Sequence, residues 1–351
     1  MYDYILKLAD TVRLMKRLFT ILAIVTLLPS IAFAQVKKAD APERDGYEGV
    51  PLYGDIESIT VREYLLEDKF GKEVKGEMTD WIKYTFNQRG DVIEEASYNS
   101  DGSLDLKYLY KYDSLGNRIE RASYYSDGIL DWKDLYKYDS LGNRIERASY
   151  YSDGSLRCKD FYKYDSAGNR IEMAEYNSDG SLRSKDLYKY DSAGNQIEEA
   201  RYNSDGSLGW KYLYKYDSAG NMIERTEYRS DGSLRWKDLY KYDSAGNMIE
   251  KAFLNSNGRL ISKNLYEYDS AGNMIERTEY NSDGIQTYKV LCKYDSAGNM
   301  IEEARYNSDG IQYYKVLCKY DSEGNIVKRA SYKSEIMIPE RLTEYEIVYR
   351  E

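Results

Sequence analysis

Tyr110-Lys111-Tyr112-Asp113-Ser114-Leu115-Gly116-Asn117 is the stretch that decides the fold, because it recurs along the chain at a fixed interval of 26 residues. Its Tyr-Asp pair begins at nine evenly spaced positions: Tyr112, Tyr138, Tyr164, Tyr190, Tyr216, Tyr242, Tyr268, Tyr294 and Tyr320. A degenerate copy begins at Phe86, 26 residues before the first. A fixed period of this length is the sequence signature of a repeat protein.

Each repeat contains two turns that end in glycine. The stretch from Asp113 to Gly116 is one, and the stretch from Asn99 to Gly102 has the layout of the other. Asp or Asn at the first position and Gly at the last are typical of a type I turn followed by a glycine bulge. The segments between turns, about eight and ten residues long, have the length and the Tyr, Ile, Leu and Trp content of β-strands.

The predicted fold class is therefore all-β, a repetitive antiparallel β-hairpin meander of about twenty strands with a 26-residue repeat. We expect it to form an open twisted or curled single sheet, and a β-solenoid with one turn per repeat is the alternative. The repeat framework consists of the Tyr, Asp and Gly of each copy: Tyr112, Asp113, Gly116, Tyr138, Asp139, Gly142, Tyr164, Asp165 and Gly168.

The turn type also predicts which side chains share a face. Pairing Asp113 with Asn117, and Tyr125 with Ile129, gives one aromatic face and one charged face. The aromatic face is predicted to carry Tyr110, Tyr112, Ala122, Tyr124, Leu130, Trp132, Tyr136 and Tyr138. The charged face is predicted to carry Lys107, Lys111, Arg121, Lys133 and Lys137, with a narrow apolar stripe of Leu109, Ile119 and Leu135.

The first 34 residues have the features of a signal peptide. Met15-Lys16-Arg17 precedes an apolar run, and Ala32-Phe33-Ala34 has the small-x-small form of a cleavage site before Gln35. Cleavage is thus expected between Ala34 and Gln35, and Met15 is a possible true start. Because no later apolar run reaches spanning length, we expect no membrane span after signal removal. The predicted location is the periplasm, the cell surface or the extracellular space.

The rest of the chain divides into four segments. Residues 35–50 are predicted to be a flexible lead-in and residues 51–85 an N-terminal β cap. The YD-like repeat array occupies residues 86–333, and residues 334–351 are predicted to form a C-terminal cap strand.

Composition argues against several functions. The net charge of −10 lacks the basic stripe of a nucleic-acid-binding protein, so no nucleic-acid partner is expected. The chain has no His, the commonest general base, and Glu120, Asp134 and their copies recur along the array rather than in one asymmetric pocket. The chain is therefore predicted not to be an enzyme. The turns lack the alternating Asp pattern of calcium loops, so no metal and no cofactor are expected.

The three cysteines are predicted to be free thiols. Cys292 and Cys318 occupy equivalent positions of adjacent repeats, which in a meander lie two strands, or about 9.6 Å, apart on the aromatic face. That distance exceeds the reach of a disulfide, whereas a β-solenoid would bring the two positions together.

The Tyr-x-Tyr-Asp-x-x-Gly-Asn pattern of residues 110–117 resembles the YD repeat of the bacterial RHS family, and the resemblance covers about residues 86–333. It implies strands wound into a β-shell, associated in that family with carbohydrate binding or with enclosing a C-terminal toxin. The 26-residue period is longer than that of typical YD repeats. The chain more closely resembles short exported YD-repeat proteins of Gram-negative bacteria, in the style of Bacteroidetes.

The most informative positions for function are those that vary between copies, since a repeat must keep its packing residues but is free to vary its contacts. One such series is Leu106, Trp132, Cys158, Ser184, Trp210, Trp236, Ser262, Tyr288 and Tyr314. Its aromatic members are the candidate ligand-binding residues: Trp132, Trp210, Trp236, Tyr288 and Tyr314.

These observations favour an exported non-catalytic repeat scaffold that binds a surface glycan or a protein partner. One alternative is an RHS-like structural shell or secretion-associated component without a small ligand, and a second is a glycan-active enzyme. A transmembrane β-barrel is the architectural rival, but neither face is expected to give a continuous lipid-facing apolar band, because Glu120 and Asp134 are predicted to interrupt the aromatic face.

Overall fold

A computed structural model of the protein describes Arg44, Tyr47, residues 49–333 and residues 338–351. The predicted signal peptide at 1–34, its possible start at Met15, and the cleavage position between Ala34 and Gln35 all lie outside the described residues. Within the described part of the chain, no helix is long and apolar enough to cross a membrane.

The described regular structure consists of antiparallel strands, two for each repeat. The first two strands precede the array and are the longest, β1 at Ile56–Lys69 and β2 at Lys72–Phe86. The array and the last strand follow as β3 Val92–Tyr98, β4 Leu104–Tyr112, β5 Arg118–Tyr125, β6 Leu130–Tyr138, β7 Arg144–Tyr151, β8 Leu156–Tyr164, β9 Arg170–Asn177, β10 Leu182–Tyr190, β11 Gln196–Asn203, β12 Leu208–Tyr216, β13 Met222–Arg229, β14 Leu234–Tyr242, β15 Met248–Asn255, β16 Leu260–Tyr268, β17 Met274–Asn281, β18 Gln286–Tyr294, β19 Met300–Asn307, β20 Gln312–Tyr320, β21 Ile326–Lys333 and β22 Ile338–Tyr349.

The sheet closes on itself. Each strand pairs with the next, and β1 pairs with both β2 and β22, so that Ile59 lies opposite Tyr84 on one side and Ile347 on the other. The protein is a closed 22-stranded antiparallel barrel. The predicted open sheet is therefore wrong, and so is the β-solenoid alternative. Closure leaves none of the described strands with an unpaired edge.

A regular stagger between strands accompanies the closure. Leu109 lies opposite Ala122, and Ala122 lies opposite Lys133. Residues aligned across two strands therefore differ by 24 in number, from 109 to 133, whereas equivalent residues of two repeats differ by 26. The sheet thus slips by about one residue per strand, which tilts the strands by roughly 35–40°. With neighbouring strands about 4.8 Å apart, such a barrel is about 40 Å across between opposite backbones.

The turns have the predicted chemistry. The backbone N–H of Asp113 donates to the carbonyl of Asn117, and that of Tyr125 donates to the carbonyl of Ile129. Gly116 has φ of +97° and Gly128 has φ of +81°, a region that residues with a Cβ rarely adopt.

A β-bulge follows each turn and changes the predicted faces. The register shifts by one between Lys111 and Tyr112 and between Ser123 and Tyr124, and the equivalent shifts recur along the array. A one-residue shift moves every side chain beyond it to the opposite face.

Because of these bulges, Arg121 pairs with Tyr110, and Ala122 pairs with Lys133. The prediction that placed Ala122 and Tyr124 on the aromatic face, and Arg121 on the charged face, is therefore wrong. Glu120, also predicted on the aromatic face, pairs with Lys111 on the opposite one. The predicted register followed from the turns alone, and the bulges lie beyond them.

We call the two sides of the sheet the inner face, which carries Tyr110, Arg121 and Trp132, and the outer face, which carries Lys111, Glu120 and Ala122. The inner face is the more buried: Tyr110 is 5% exposed, whereas the Lys111 side chain is 64% exposed. Residues 49–55 also pack on the inner face near the β1–β22 closure, where Leu52 joins the apolar cluster that includes Ile56, Ile59, Phe86, Val92 and Tyr110. This face lines the barrel interior.

Lysines and glutamates alternate around the outer face. Glu146 lies 3.1 Å from the ammonium of Lys137 and 3.4 Å from that of Lys159, on the two neighbouring strands. The same arrangement recurs at Glu172, Glu224 and Glu302. Exposed ion pairs contribute little each, so the main consequence of this ladder is a hydrated outer wall.

Candidate binding surface of the barrel interior

Variation between repeats is concentrated on the inner face. On the outer face, the positions equivalent to Lys107 and Glu120 hold the same residue type in all nine copies from Lys107 to Lys315 and from Glu94 to Glu302. On the inner face, four positions per repeat change in size, polarity and charge, namely those equivalent to Leu106, Tyr108, Arg121 and Ser123. Residues that repeats vary are the ones free to make specific contacts, so the interior is the candidate binding surface.

The invariant tyrosines brace the sheet. The hydroxyl of Tyr138 donates to the backbone carbonyl of Arg118 at 2.7 Å, and that of Tyr164 donates to the carbonyl of Arg144 at 2.8 Å. Tyr112 makes the same bond to Val92. These side chains lie on the inner face but bond the neighbouring strand, as packing residues do.

The invariant aspartates complete the turns. Asp113 Oδ1 accepts from the N–H groups of Leu115 and Asn117, and its Oδ2 accepts from the Asn117 side chain. The bond from the Asn117 side chain is the main cause that lowers the pKa of Asp113. Asp139 and Asp165 make the same bonds, so these carboxylates have their partners within the turn.

All five candidate ligand-binding residues lie half-buried on the inner face, but they do not form one cluster. Trp210 and Trp236 are joined through Tyr212, with ring centroids 4.9 and 5.9 Å from it. Trp132 stands four repeats before Trp236 in the sequence. Tyr288 and Tyr314 lie on β18 and β20.

An arginine lies between aromatic rings beside Trp132. The guanidinium carbon of Arg121 is 4.8 Å from the ring centroid of Tyr108 and 5.2 Å from that of Trp132. The two rings belong to β4 and β6, with Arg121 on the strand between them, and their centroids are 6.0 Å apart. Sequence reasoning missed this arrangement because it placed Arg121 on the opposite face.

The arrangement recurs on β12 to β14. The guanidinium carbon of Arg225 is 4.9 Å from the ring centroid of Tyr212 and 4.7 Å from that of Trp236. The aromatic surface is larger here, since Phe253 lies 5.8 Å from Trp236 and Trp210 contacts Tyr212. Aromatic rings packed beside a guanidinium offer flat, partly polar surfaces to a ligand in the interior.

Acidic side chains line the sector between these two arrangements. Asp134 and Asp160 are almost fully buried, and Arg147 binds both, at 2.9 and 3.3 Å. Burial raises the pKa of Asp160, although the charge of Arg147 opposes this effect.

Three side chains in this sector could ligate a metal. The ligating atoms of Cys158, Asp160 and Glu175 lie within 4.8 Å of one another. Both carboxylates already bind arginines, Asp160 with Arg147 and Glu175 with Arg183. The expectation of no metal remains a prediction.

The thiols provide a test of the register. Cys292 and Cys318 are buried on the inner face of β18 and β20, as predicted, and Cys158 is less buried. Burial raises the pKa of Cys292 to about 12.

Because the thiolate is the reactive form, we expect Cys158 to react first with a thiol reagent at pH 8, and Cys292 and Cys318 to react only on unfolding. Peptide mapping after timed labelling measures the order, and a Cys292–Cys318 bridge in the intact mass would contradict the two-strand spacing.

No protein-family model matches the chain, and no curated protein matches its sequence. Among solved structures it is similar to the TcdB2-TccC3 complex, with 13% identity and a TM-score of 0.33 over 81% of this chain and 20% of that chain. It is also similar to the Photorhabdus luminescens Tc holotoxin pore, with 12% identity and a TM-score of 0.29 over 75% and 19% of the two chains. A porin-like protein from Bacteroides uniformis matches at 9% identity and a TM-score of 0.32, over 84% of this chain and 98% of that one.

The chain spans about a fifth of the length of the toxin chains that it matches. The motif of this chain resembles YD repeats, but no family model confirms that resemblance. The structure establishes the coarser statement, a repeat-containing β fold.

Proposed function

We propose that the protein is an exported, non-catalytic barrel that binds a glycan in its interior. The observation that carries this proposal is the concentration of repeat-to-repeat variation on the inner face, where Trp132, Trp210 and Trp236 lie. Aromatic rings with a polar edge and neighbouring Asp, Glu and Arg side chains suit sugar rings, which have an apolar face and a rim of hydroxyls.

Export is part of the proposal and rests on residues 1–34. The ladder of Lys and Glu on the outer face suits contact with water. A barrel with a hydrated wall and a variable interior has its contacts directed inward, so the proposed partner is a flexible chain that enters the barrel.

A structural shell without a small ligand is the second candidate, and the closure of the sheet is the observation that favours it. A tube about 40 Å across encloses space whether or not its wall binds anything. The two candidates differ in whether the interior aromatic side chains are needed for binding.

The test compares two triple variants of the chain that begins at Gln35. In one, Trp132, Trp210 and Trp236 are replaced by Ala. In the control, Tyr124, Tyr202 and Tyr228 of the outer face are replaced by Ala. Both are screened against glycan arrays and cell-wall polymers, and hits are measured by calorimetry.

We expect the interior variant to lose at least about tenfold in affinity, and the outer-face control to bind like the parent protein. Circular dichroism and thermal melting verify that both variants are folded. If no glycan binds the parent protein, or if the interior variant binds as well as the parent, glycan binding is wrong and the shell is favoured.

A further inference from the structure

We propose that Arg121 and Arg225 form two equivalent receptors for anionic groups, so that the glycan taken by the barrel is acidic. This inference rests on the proposed function and adds the chemical class of the ligand. It follows from three features of the two arginines: their aromatic neighbours, their lack of a carboxylate partner, and their restriction to two of the repeats.

Each arginine lies against rings from both neighbouring strands. Tyr108 and Ser123 are directly opposite each other, as are Ser123 and Trp132, so the two rings flank the strand that carries Arg121. Tyr212 and Trp236 flank the strand that carries Arg225 in the same register. Rings at 4.7–5.2 Å from the guanidinium carbon restrain the side chain before a ligand arrives.

No carboxylate contacts Arg121 directly, although the more distant Glu95 acts on its charge. Asp134 is directly opposite Arg121, but Asp134 binds Arg147 of the next strand at 2.9 Å. The Nε of Arg121 is buried without a hydrogen-bond partner, and in the described part of the chain no carboxylate lies within 4.0 Å of its guanidinium.

Arg225 repeats this situation. Asp238 is directly opposite Arg225, but the nearest cation to Asp238 is Lys251, at 3.7 Å. The Nε of Arg225 is also buried without a hydrogen-bond partner, and among the described residues no carboxylate pairs with it within 4.0 Å. Two half-buried guanidinium groups are thus left with donors for an anion that the protein does not supply.

The combination of Tyr, Arg and Trp on three successive strands occurs at these two places in the array. The other repeats break it by substitution. At Arg147, the residues in place of the Tyr and the Trp are Asp134 and Cys158. At Lys251, which itself replaces the arginine, they are Asp238 and Ser262. The two complete sites are 104 residues, or four repeats, apart, which places them roughly a third of the circumference from each other.

The geometry selects the ligand chemistry. A guanidinium presents a planar fork of donors that matches a carboxylate or a sulfate through two parallel hydrogen bonds. The flanking Tyr and Trp rings are positioned to stack on the sugar ring that carries the anion. The shared ligand chemistry is an anionic group on a sugar ring, either the carboxylate of a uronic acid or a sulfate ester.

The experiment uses the whole chain from Gln35 and three probes in calorimetry: an oligogalacturonate, a sulfated heparin-derived oligosaccharide, and neutral cello-oligosaccharides. We expect about two equivalent short acidic oligosaccharides to bind per barrel, and neutral ones to bind at least about tenfold more weakly. The carboxylate and sulfate probes distinguish the two sources of the anion, and binding of either supports the inference.

Single variants R121Q and R225Q should each reduce the stoichiometry by one, with about a 10- to 100-fold loss of affinity at the altered site. The double variant should lose both sites. R121K retains the charge but not the fork, so it should bind with intermediate affinity. The control K133Q makes the same charge change on the outer face of the adjacent strand and should bind like the parent protein.

If neutral and acidic probes bind equally and the arginine variants bind like the parent, the inference is wrong while glycan binding in the interior stands. If none of the three probes binds a folded barrel and no other glycan does, the proposed function fails as well. A thermal melt of each variant separates loss of binding from loss of folding.

Discussion

Replacing Asn325 with alanine should lower the free energy of unfolding by about 3 kcal/mol, because this side chain joins three separate parts of the chain. Asn325 is fully buried. Its Oδ1 accepts from the N–H of Tyr53 at 2.6 Å, and its Nδ2 donates to the carbonyl of Tyr53 at 2.9 Å and to the hydroxyl of Tyr349 at 2.7 Å. The substitution leaves the partly buried Tyr53 peptide group and Tyr349 hydroxyl without these partners.

The matched control is Asn195→Ala in the middle of the array. Asn195 occupies the equivalent position, but its side chain donates to Asp191 of its own turn at 3.0 Å. Water replaces a bond at this turn readily, so we expect a loss of less than about 1 kcal/mol. Urea unfolding followed by tryptophan fluorescence gives both midpoints. Equal shifts for the two variants would show that Asn325 has no special role at the closure.

The comparison between these two asparagines shows what the sequence can predict. Both belong to the same Tyr-Asp-x-x-Gly-Asn motif, and the motif predicts the turn because the turn depends only on residues within it. Gly116 at positive φ and Asp113 as the acceptor in the turn follow from local chemistry. The contact of Asn325 with Tyr53 joins residues 272 positions apart, and nothing in the motif indicates it.

Closure could not be predicted for the same reason. Ile59 and Ile347 face each other across the β1–β22 pair, and neither segment resembles the repeat. The bulges also lack a local signal, since the additional residues are Ile119 and Asp131 and not the glycines that mark many bulges. Each bulge reverses a face, so Trp132 could be identified from the sequence as a candidate, but its neighbour Arg121 could not.

The candidate residues that were predicted came from comparing repeats within the chain. That comparison works because every copy faces the same packing problem, so the invariant tyrosines could be assigned to the framework. The same comparison applied to the positions of Tyr108 and Arg121 finds the arginine sites once the register is known. The sequence does not show which of the variable positions are neighbours across the strands, and that information comes only from the register.

Placing proline at Thr343 should open the barrel. Thr343 faces Arg329 in β21 and Glu63 in β1, so β22 is a central strand here and each backbone N–H bonds one neighbour or the other. Proline removes that donor and clashes with the ladder, which costs about 3 kcal/mol or more. Opening the β1–β22 pair creates two free edges, and free edges pair with other chains.

The expected result is a lower melting temperature together with association, measured by thermal denaturation and by size-exclusion chromatography with light scattering. Hydrogen exchange should accelerate first in β1 and β22, because local opening begins where the ladder is broken. The control is Ser126→Pro, at the second position of the turn from Tyr125 to Gly128, where a type I turn favours proline. That variant should match the parent or gain up to about 1 kcal/mol. If Thr343→Pro keeps the melting temperature and the molecular mass of the parent, closure through β22 does not hold the barrel together.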